Sequence, residues 1–279
     1  MKINNNILGF FYNKLDFPIR YLYCKLPIIN KALFWHLYSS DFKKLDQHFE
    51  NMKNIIHKER FNFKNKTCLE LGPGNSYINA YNLLMNGAKK VILVDKFPRY
   101  IKTKKQKEFF RKELDFIKQK YGQQKLFFFK KGRIDNQYIK FIEKDFAKTD
   151  IKEKVDFVLT ISVFEHIKNI EQVIAKLTKV IKRGSLMYHS IDLRDHYNFA
   201  NPFLFYKYSK NTWERYLTKE GVSYTNRVRY EDFIILFKKY GFKILNENIE
   251  RFHINEKINK EFQNQGNLDV GILRMVLQK

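Results

Sequence analysis

The chain alternates between short apolar runs and amphipathic stretches over most of its length, and this alternation limits the folds open to it. Strands are predicted for KTCLEL (66–71), KVILVD (90–95), YIKFIEKD (138–145), VDFVLTIS (155–162) and GSLMYHSIDL (184–193). Helices are predicted between them, at 75–87, about 98–120 and 170–182. Strands that alternate with helices form a parallel sheet with helices on both faces, and ligands bind at the carboxyl ends of its strands.

The C-terminal part departs from this alternation. A helix is predicted at 230–241, and two strand patterns, FKILNENIERF (242–252) and VGILRMVLQ (270–278), follow it with no helix between them. Such neighbours pair as an antiparallel hairpin. The sequence therefore predicts an α/β fold: a doubly wound, Rossmann-like, mostly parallel sheet of seven strands with an antiparallel C-terminal strand.

The regions outside the alternation define the predicted domain organisation. Apolar residues at helical spacing predict an amphipathic helix over 31–57, so residues 1–60 are interpreted as a helical N-terminal extension of one domain at 61–279. An aromatic and basic insertion is predicted near 194–228. Its aromatic rings either form a lid over a ligand or pack into a small core of their own.

Charge and cysteine content bear on partners and location. The net charge is +24, but the basic residues are scattered, which favours a compositional bias over a specific nucleic-acid site. Two cysteines and the lack of both a secretion signal and an apolar run of roughly 18 residues favour the cytoplasm. The aromatic and basic segment 7–38 packs onto the sheet, covers the ligand site or makes a peripheral membrane contact, and packing onto the sheet is preferred. The oligomeric state is not predicted.

The stretch CLELGPGNS (68–76) places a glycine turn directly after the first strand. A dinucleotide site needs a third glycine for close helix packing, and Tyr77 occupies that position. A phosphate-binding P-loop is excluded because no Gly-Lys-Ser or Gly-Lys-Thr follows. Glu70 beside the turn would repel phosphate and suits a cationic ligand such as an ammonium or a sulfonium.

This motif resembles that of the class I S-adenosylmethionine-dependent methyltransferases, an acid followed by x-Gly-x-Gly-x-Gly. ELGPGNS matches it except for the last glycine, where Ser76 stands. The resemblance implies S-adenosyl-L-methionine as the cofactor, with Glu70, Gly72 and Gly74 at its binding loop. It covers residues 65–192 in motifs and is weaker beyond them.

Three later motifs extend the resemblance around the predicted cofactor. Asp95 ends the second strand, 21 residues after Gly74, where a carboxylate accepts hydrogen bonds from both ribose hydroxyls. Asp145 and Phe146 resemble the pair that contacts the adenine. TISVFEHI (160–167) resembles the motif after the fourth strand and adds Ser162 to the cofactor-binding residues.

Candidate catalytic residues follow the fourth and fifth strands, where the methyl group of the cofactor would point. They are His166, His189, Asp192 and His196, and we expect one imidazole to accept the proton of the methylated hydroxyl. His196 is preferred because it lies beyond the end of the strand. The two histidines and two aspartates of 189–196 would also suit a divalent metal, but their spacing is not diagnostic and no metal is predicted.

Two short stretches bear on the acceptor. IDLRDH (191–196) and NRVRYEDFIILFKKYGF (226–242) resemble parts of bacterial methyltransferases encoded in surface-polysaccharide gene clusters. This resemblance implies O-methylation of a sugar or another small or glycan-like acceptor, such as a lipid-linked saccharide, in polysaccharide biosynthesis. Two alternatives remain open: an RNA methyltransferase, and a catalytically inactive partner subunit that keeps the fold.

Overall fold

A computed structural model describes residues 16–18, 20–22, 41–97, 103–122, 126–130, 133–196, 201–218 and 224–279. Parts of several predicted features lie outside these residues. They are the start of the helix at 31–57, the start of the helix at 98–120, and most of the N-terminal extension and of the segment at 7–38.

The described residues form a sheet of seven strands and a separate two-stranded hairpin. The strands are β1 (Thr67–Leu71), β2 (Lys90–Asp95), β3 (Phe129–Lys130), β4 (Arg133–Ile134), β5 (Ile139–Glu143), β6 (Val155–Ile161), β7 (Ile181–Asp192), β8 (Lys243–Arg251) and β9 (Val270–Gln278). The order across the large sheet is β5-β2-β1-β6-β7-β9-β8, and its first five strands are parallel. The predicted fold class is confirmed.

The five longer helices described are α1 (Phe42–Lys58), α2 (Ile78–Met85), α3 (Lys104–Tyr121), α4 (Ile170–Val180) and α5 (Tyr230–Lys239). Local signals set several of their ends. Asp41 caps α1 by accepting the N–H of Lys44, and a reciprocal capping box of Thr103 and Gln106 starts α3. The predicted helix at 170–182 ends at Val180, because the chain enters β7 directly at Ile181.

The helices cover both faces of the sheet, as the alternating pattern predicts. One apolar core joins α1, α2 and α3 to the sheet through residues such as Phe49, Leu83 and Ile117. The second core joins α4 and α5 to the opposite face, through residues such as Leu177 and Phe237. Strands β1 and β6 are buried almost throughout, which accounts for their continuous apolar runs.

The C-terminal hairpin is also confirmed, and the structure adds its order. Strand β9 inserts between β7 and β8 and runs antiparallel to both. The sequence analysis missed the short hairpin of β3 and β4, since two-residue strands leave no periodic pattern.

The insertion near 194–228 has a small core of its own. Phe203, Phe205 and Trp213 are buried together with Phe262 and Leu268. Of the two alternatives for these rings, they pack into a core of their own and do not form a lid. Nearby, Arg20 donates to both carboxylate oxygens of Asp195 and to Asp16, and all three side chains are buried. Among the described residues, no helix is long and apolar enough to cross a membrane.

Candidate active site

A cavity of about 420 Å³ opens at the carboxyl ends of β1, β2, β5 and β6. This volume lies within the range of small-molecule sites, roughly 300–1,000 Å³. Seven of the predicted site residues line the cavity: Gly72, Gly74, Asp95, Asp145, Phe146, Ser162 and His166. Glu70, His189, Asp192 and His196 do not line it.

The two glycines of the turn are needed for different reasons. Both have positive φ, +65° at Gly72 and +61° at Gly74, which side chains rarely tolerate. A Cβ at Gly72 would also stand 2.6 Å from a methyl group of Val163, whereas a Cβ at Gly74 would meet nothing within 4 Å. Gly72 therefore allows the loop after β1 to pass close to the loop after β6.

Asp95 joins the glycine turn to the end of β2. One carboxylate oxygen accepts the N–H of Gly74 at 3.1 Å and the other accepts the N–H of Phe97 at 2.9 Å. Burial raises the pKa of Asp95, and these backbone hydrogen bonds partly oppose the rise. A carboxylate has about four lone-pair positions, so with backbone hydrogen bonds from Gly74, Phe97 and Lys96 the group can still accept a hydrogen bond from a hydroxyl in the cavity.

The residues after β5 and β6 form the opposite wall. Asp145 caps a short 3₁₀ turn (Phe146–Lys148) by accepting the N–H of Ala147 at 2.9 Å, and Phe146 is buried behind it. Ser162 has a φ of +51°, unusual for a residue other than glycine, and its N–H donates to the carbonyl of Ser190 in β7. Backbone strain thus accompanies the point where the chain leaves β6 for the cavity.

Glu70 lies behind the glycine loop instead of facing the ligand. It is 3% exposed, and one carboxylate oxygen accepts a hydrogen bond from Asn79 of α2 at 2.8 Å. The other oxygen has no hydrogen-bond partner among the described residues. Burial raises the pKa of Glu70 to about 8, and the charges of Asp95 and Glu113 add to the rise. Glu70 therefore supports the loop from behind.

His166 is the candidate imidazole that reaches the cavity. Its Nδ1 lies 2.6 Å from the carbonyl oxygen of Tyr224. Because a carbonyl only accepts, Nδ1 carries the proton and Nε2 holds a lone pair. Burial, assisted by the charge of His196, lowers the pKa of His166 to about 4, so the ring is neutral near pH 7.

His196 lies behind His166, with ring centroids 4.9 Å apart in an edge-to-face arrangement. Its Nε2 is 3.7 Å from a carboxylate oxygen of Asp192, whose carboxylate also accepts two hydrogen bonds from the Arg194 side chain. Burial alone would lower the pKa of His196, but Asp192 and Glu165 raise it. The pKa of Asp192 is lowered because the hydrogen bonds from Arg194 and the charge of the nearby His196 outweigh its burial.

Glu165 lies beneath this pair and is 1% exposed. One carboxylate oxygen accepts the N–H of Asp192 at 3.3 Å, and the other has no hydrogen-bond partner among the described residues. Burial raises its pKa to about 7. One ligand atom each from Glu165, His166 and His196 lies within 4.8 Å of the others.

His189 is separated from this cluster. It is completely buried in β7, where Nδ1 lies 2.8 Å from the hydroxyl of Thr160 and the ring stacks on Phe164 and Phe237. Burial lowers its pKa to about 3. A general base must reach its substrate, and His189 is buried away from the cavity, so it does not fit that role.

The comparisons with known proteins agree with this geometry. A family described as a methyltransferase domain matches residues 45–247, which is most of the chain. The chain belongs to this family. It is an S-adenosylmethionine-dependent methyltransferase. No curated protein matches the sequence.

Solved structures resemble the methyltransferase at low identity. One is the N-methyltransferase NodS from Bradyrhizobium japonicum WM9 in complex with S-adenosyl-L-homocysteine, with 11% identity and a TM-score of 0.48. That match covers 88% of this chain and 91% of NodS. Another is an S-adenosylmethionine-dependent methyltransferase from Clostridium acetobutylicum, with 13% identity, a TM-score of 0.46, and 92% and 98% of the two chains covered.

The cavity of the methyltransferase fits S-adenosylmethionine, the cofactor of the family. Asp95 would accept the ribose hydroxyls, and the absence of a side chain at Gly72 allows the loop after β1 to pass close to the loop after β6. Asp145 and Phe146 would hold the adenine. When bound, the cofactor supplies an electrophilic methyl group on a sulfonium sulfur.

Sequence reasoning missed the contacts by which Tyr224 and Asn226 hold the loop at residues 164–167 in place. The side-chain amide of Asn226 donates to the carbonyls of Phe164 and Ile167, and its backbone N–H donates to the backbone carbonyl of Glu165. Tyr224 fixes His166 through its carbonyl. The one available signal was the polar Asn-Arg stretch inside an aromatic segment, and it carried no spacing that pointed to residues 164–167.

Proposed function

We propose that the methyltransferase O-methylates a hydroxyl of a sugar or another small, glycan-like acceptor. The observation that carries this proposal is the cluster of His166, His196 and Asp192 at the edge of the cofactor cavity. A hydroxyl must lose its proton to a base during methylation. A thiolate has no proton to lose, and an unprotonated amine can attack before it loses one. A neutral imidazole beside the cavity therefore supports a hydroxyl acceptor.

The roles of the two histidines follow from their surroundings. The acceptor oxygen bonds to the methyl carbon, the carbon–sulfur bond breaks with its electrons left on sulfur, and one proton is released. His166 receives this proton at Nε2, because its Nδ1–H is fixed on Tyr224. His196 was the expected base, but it lies behind His166 beside Asp192 and positions that ring.

The proposal of a saccharide acceptor is supported by two stretches of sequence that the fold brings together. Residues 191–196 supply Asp192 and His196, and the stretch that begins at Asn226 holds the loop of His166. Both resemble methyltransferases of surface-polysaccharide gene clusters. The scattered positive charge supports an acceptor other than a specific RNA, and a peripheral membrane contact would suit a lipid-linked saccharide.

The test measures S-adenosylhomocysteine formation with panels of nucleotide sugars, lipid-linked saccharides and RNA transcripts. We expect turnover with one class of saccharide, and a loss of about 10²–10⁴-fold in kcat for His166→Ala with cofactor affinity retained. His253→Ala, at an exposed histidine after β8, is the matched control. Methylation of RNA alone, or full turnover by His166→Ala, would overturn the proposal.

A further inference from the structure

We propose that Glu165, His166 and His196 form a binding site for a divalent transition-metal ion such as Zn²⁺ or Mn²⁺. The three residues come from different places in the chain. Glu165 and His166 follow β6, whereas His196 lies beyond the end of β7. Their ligand atoms nevertheless lie within 4.8 Å of one another.

The donor set matches the chemistry of such ions. Two imidazoles and one carboxylate are ligands that Zn²⁺ accepts in catalytic sites, where a fourth position stays open. Zinc bonds of about 2.1 Å in a tetrahedral site place two ligand atoms about 3.4 Å apart. Side-chain shifts of about an ångström would therefore close the site around an ion.

The second observation is the hydrogen bond behind His166. A ligating histidine usually donates its other ring N–H to a carbonyl or a carboxylate, which fixes the ring and the tautomer. His166 makes this contact through Nδ1 to the carbonyl of Tyr224 at 2.6 Å. The arrangement leaves the lone pair of Nε2 for a ligand.

The third observation is the buried carboxylate of Glu165. This side chain is 1% exposed, and its second oxygen has no hydrogen-bond partner among the described residues. A buried carboxylate oxygen without a hydrogen-bond donor is destabilising. A bound cation would supply the missing partner, and Asp192 adds a second carboxylate beside His196.

The position of the site gives the ion a role in methyl transfer. His166 lines the cofactor cavity, so an ion bound to this residue would lie at the edge of that cavity. Only this point rests on the proposed function. The Nε2 lone pair of His166 holds either a proton or a metal ion, so His166 is the proton acceptor only in the metal-free protein. In the metal-bound protein the ion would instead lower the pKa of the acceptor hydroxyl.

Metal binding is measured without any acceptor, so its outcome is independent of the proposed function. Untagged protein is freed of metal with a chelator and titrated with Zn²⁺ and, separately, Mn²⁺ by calorimetry. We expect one ion per chain for the wild type. His166→Ala and His196→Ala should each weaken binding at least tenfold, and Glu165→Gln should do so while it keeps the shape of the side chain.

The control is His253→Ala, which should bind the ion as the wild type does because this histidine is exposed and outside the cluster. Each variant is tested for binding of S-adenosylhomocysteine, which shows that the variant is folded. If a histidine variant does not fold, Glu165→Gln alone tests the metal site. No saturable binding by the wild type, or equal affinity in the wild type and Glu165→Gln, would overturn the proposal.

Discussion

The cofactor half and the acceptor half of the site are built in different ways. On the cofactor side, Gly72, Gly74 and Asp95 follow successive strands, and most of their contacts are to nearby backbone in the sheet. On the acceptor side, His166 and Asp195 depend on segments far away in the sequence. Tyr224 is 58 residues from His166, and Arg20 is 175 residues from Asp195.

The difference shows where sequence reasoning succeeds. Strand ends of a parallel sheet meet at one edge, and the resemblance to the methyltransferase motifs picks out Asp95, Asp145 and Ser162 at three such ends. These residues could therefore be assigned to one cavity. The contacts of Tyr224 and Asn226 depend on how an irregular segment returns to the sheet. No periodicity encodes that path, which is why these residues were missed.

The same reasoning explains why the structure places some of the predicted site residues away from the cavity. Glu70 and His189 lie in strands, and a strand pattern does not reveal which side chains face a ligand and which support the fold. Glu70 contacts α2 and His189 contacts α5, and neither lines the cavity. His196 was preferred over His166 as the base, but of these two rings His166 lines the cavity, because a loop determines which ring comes forward.

The largest predicted effect tests whether the two halves are independent. Arg20→Met removes the partner of the buried carboxylates of Asp16 and Asp195 and should cost about 3–5 kcal/mol of unfolding free energy. Arg215→Met, at an exposed arginine of the insertion, is the control and should change little. Urea unfolding measures both variants.

The affinity of the Arg20→Met variant for S-adenosylhomocysteine should stay within about threefold of the wild type. A tenfold loss of affinity in folded protein would show that the N-terminal contact reaches the cofactor side. The two halves would then not be separate.

A smaller effect is expected at the glycine turn. Gly72→Ala and Gly74→Ala share the strain of a positive φ, about 1–2 kcal/mol, but only the Cβ at position 72 meets Val163. Gly72→Ala should therefore cost roughly 1–3 kcal/mol more stability than Gly74→Ala. Adding Val163→Ala should recover most of this excess in thermal unfolding, and an absence of recovery would contradict the close approach.

The third effect depends on pH and concerns the carboxyl group behind the turn. The pKa of Glu70 is about 8 in the folded protein, against 4.5 for an exposed glutamate. Its contribution to stability is full below pH 4.5 and is lost as the pH rises towards 8, by about 1.4 kcal/mol for each pH unit. Glu70→Gln removes this loss, so its stability relative to the wild type should rise between pH 5 and pH 8. An equal difference in unfolding free energy between Glu70→Gln and the wild type at pH 5 and at pH 8 would contradict the burial of the carboxyl.

The measurement that tests the account most directly is calorimetric titration of the methyltransferase with S-adenosylhomocysteine. Asp95→Ala removes the carboxylate placed for the ribose, and hydrogen bonds to a charged group contribute about 1.5–3 kcal/mol each. Glu143→Gln changes an exposed acid that pairs in register with Asp95 on the neighbouring strand, and it is the matched control. We predict one site in the wild type and in Glu143→Gln, and at least tenfold weaker binding in Asp95→Ala. Absence of binding by the wild type, or equal affinity in all three proteins, would contradict the assignment of this cavity to the cofactor.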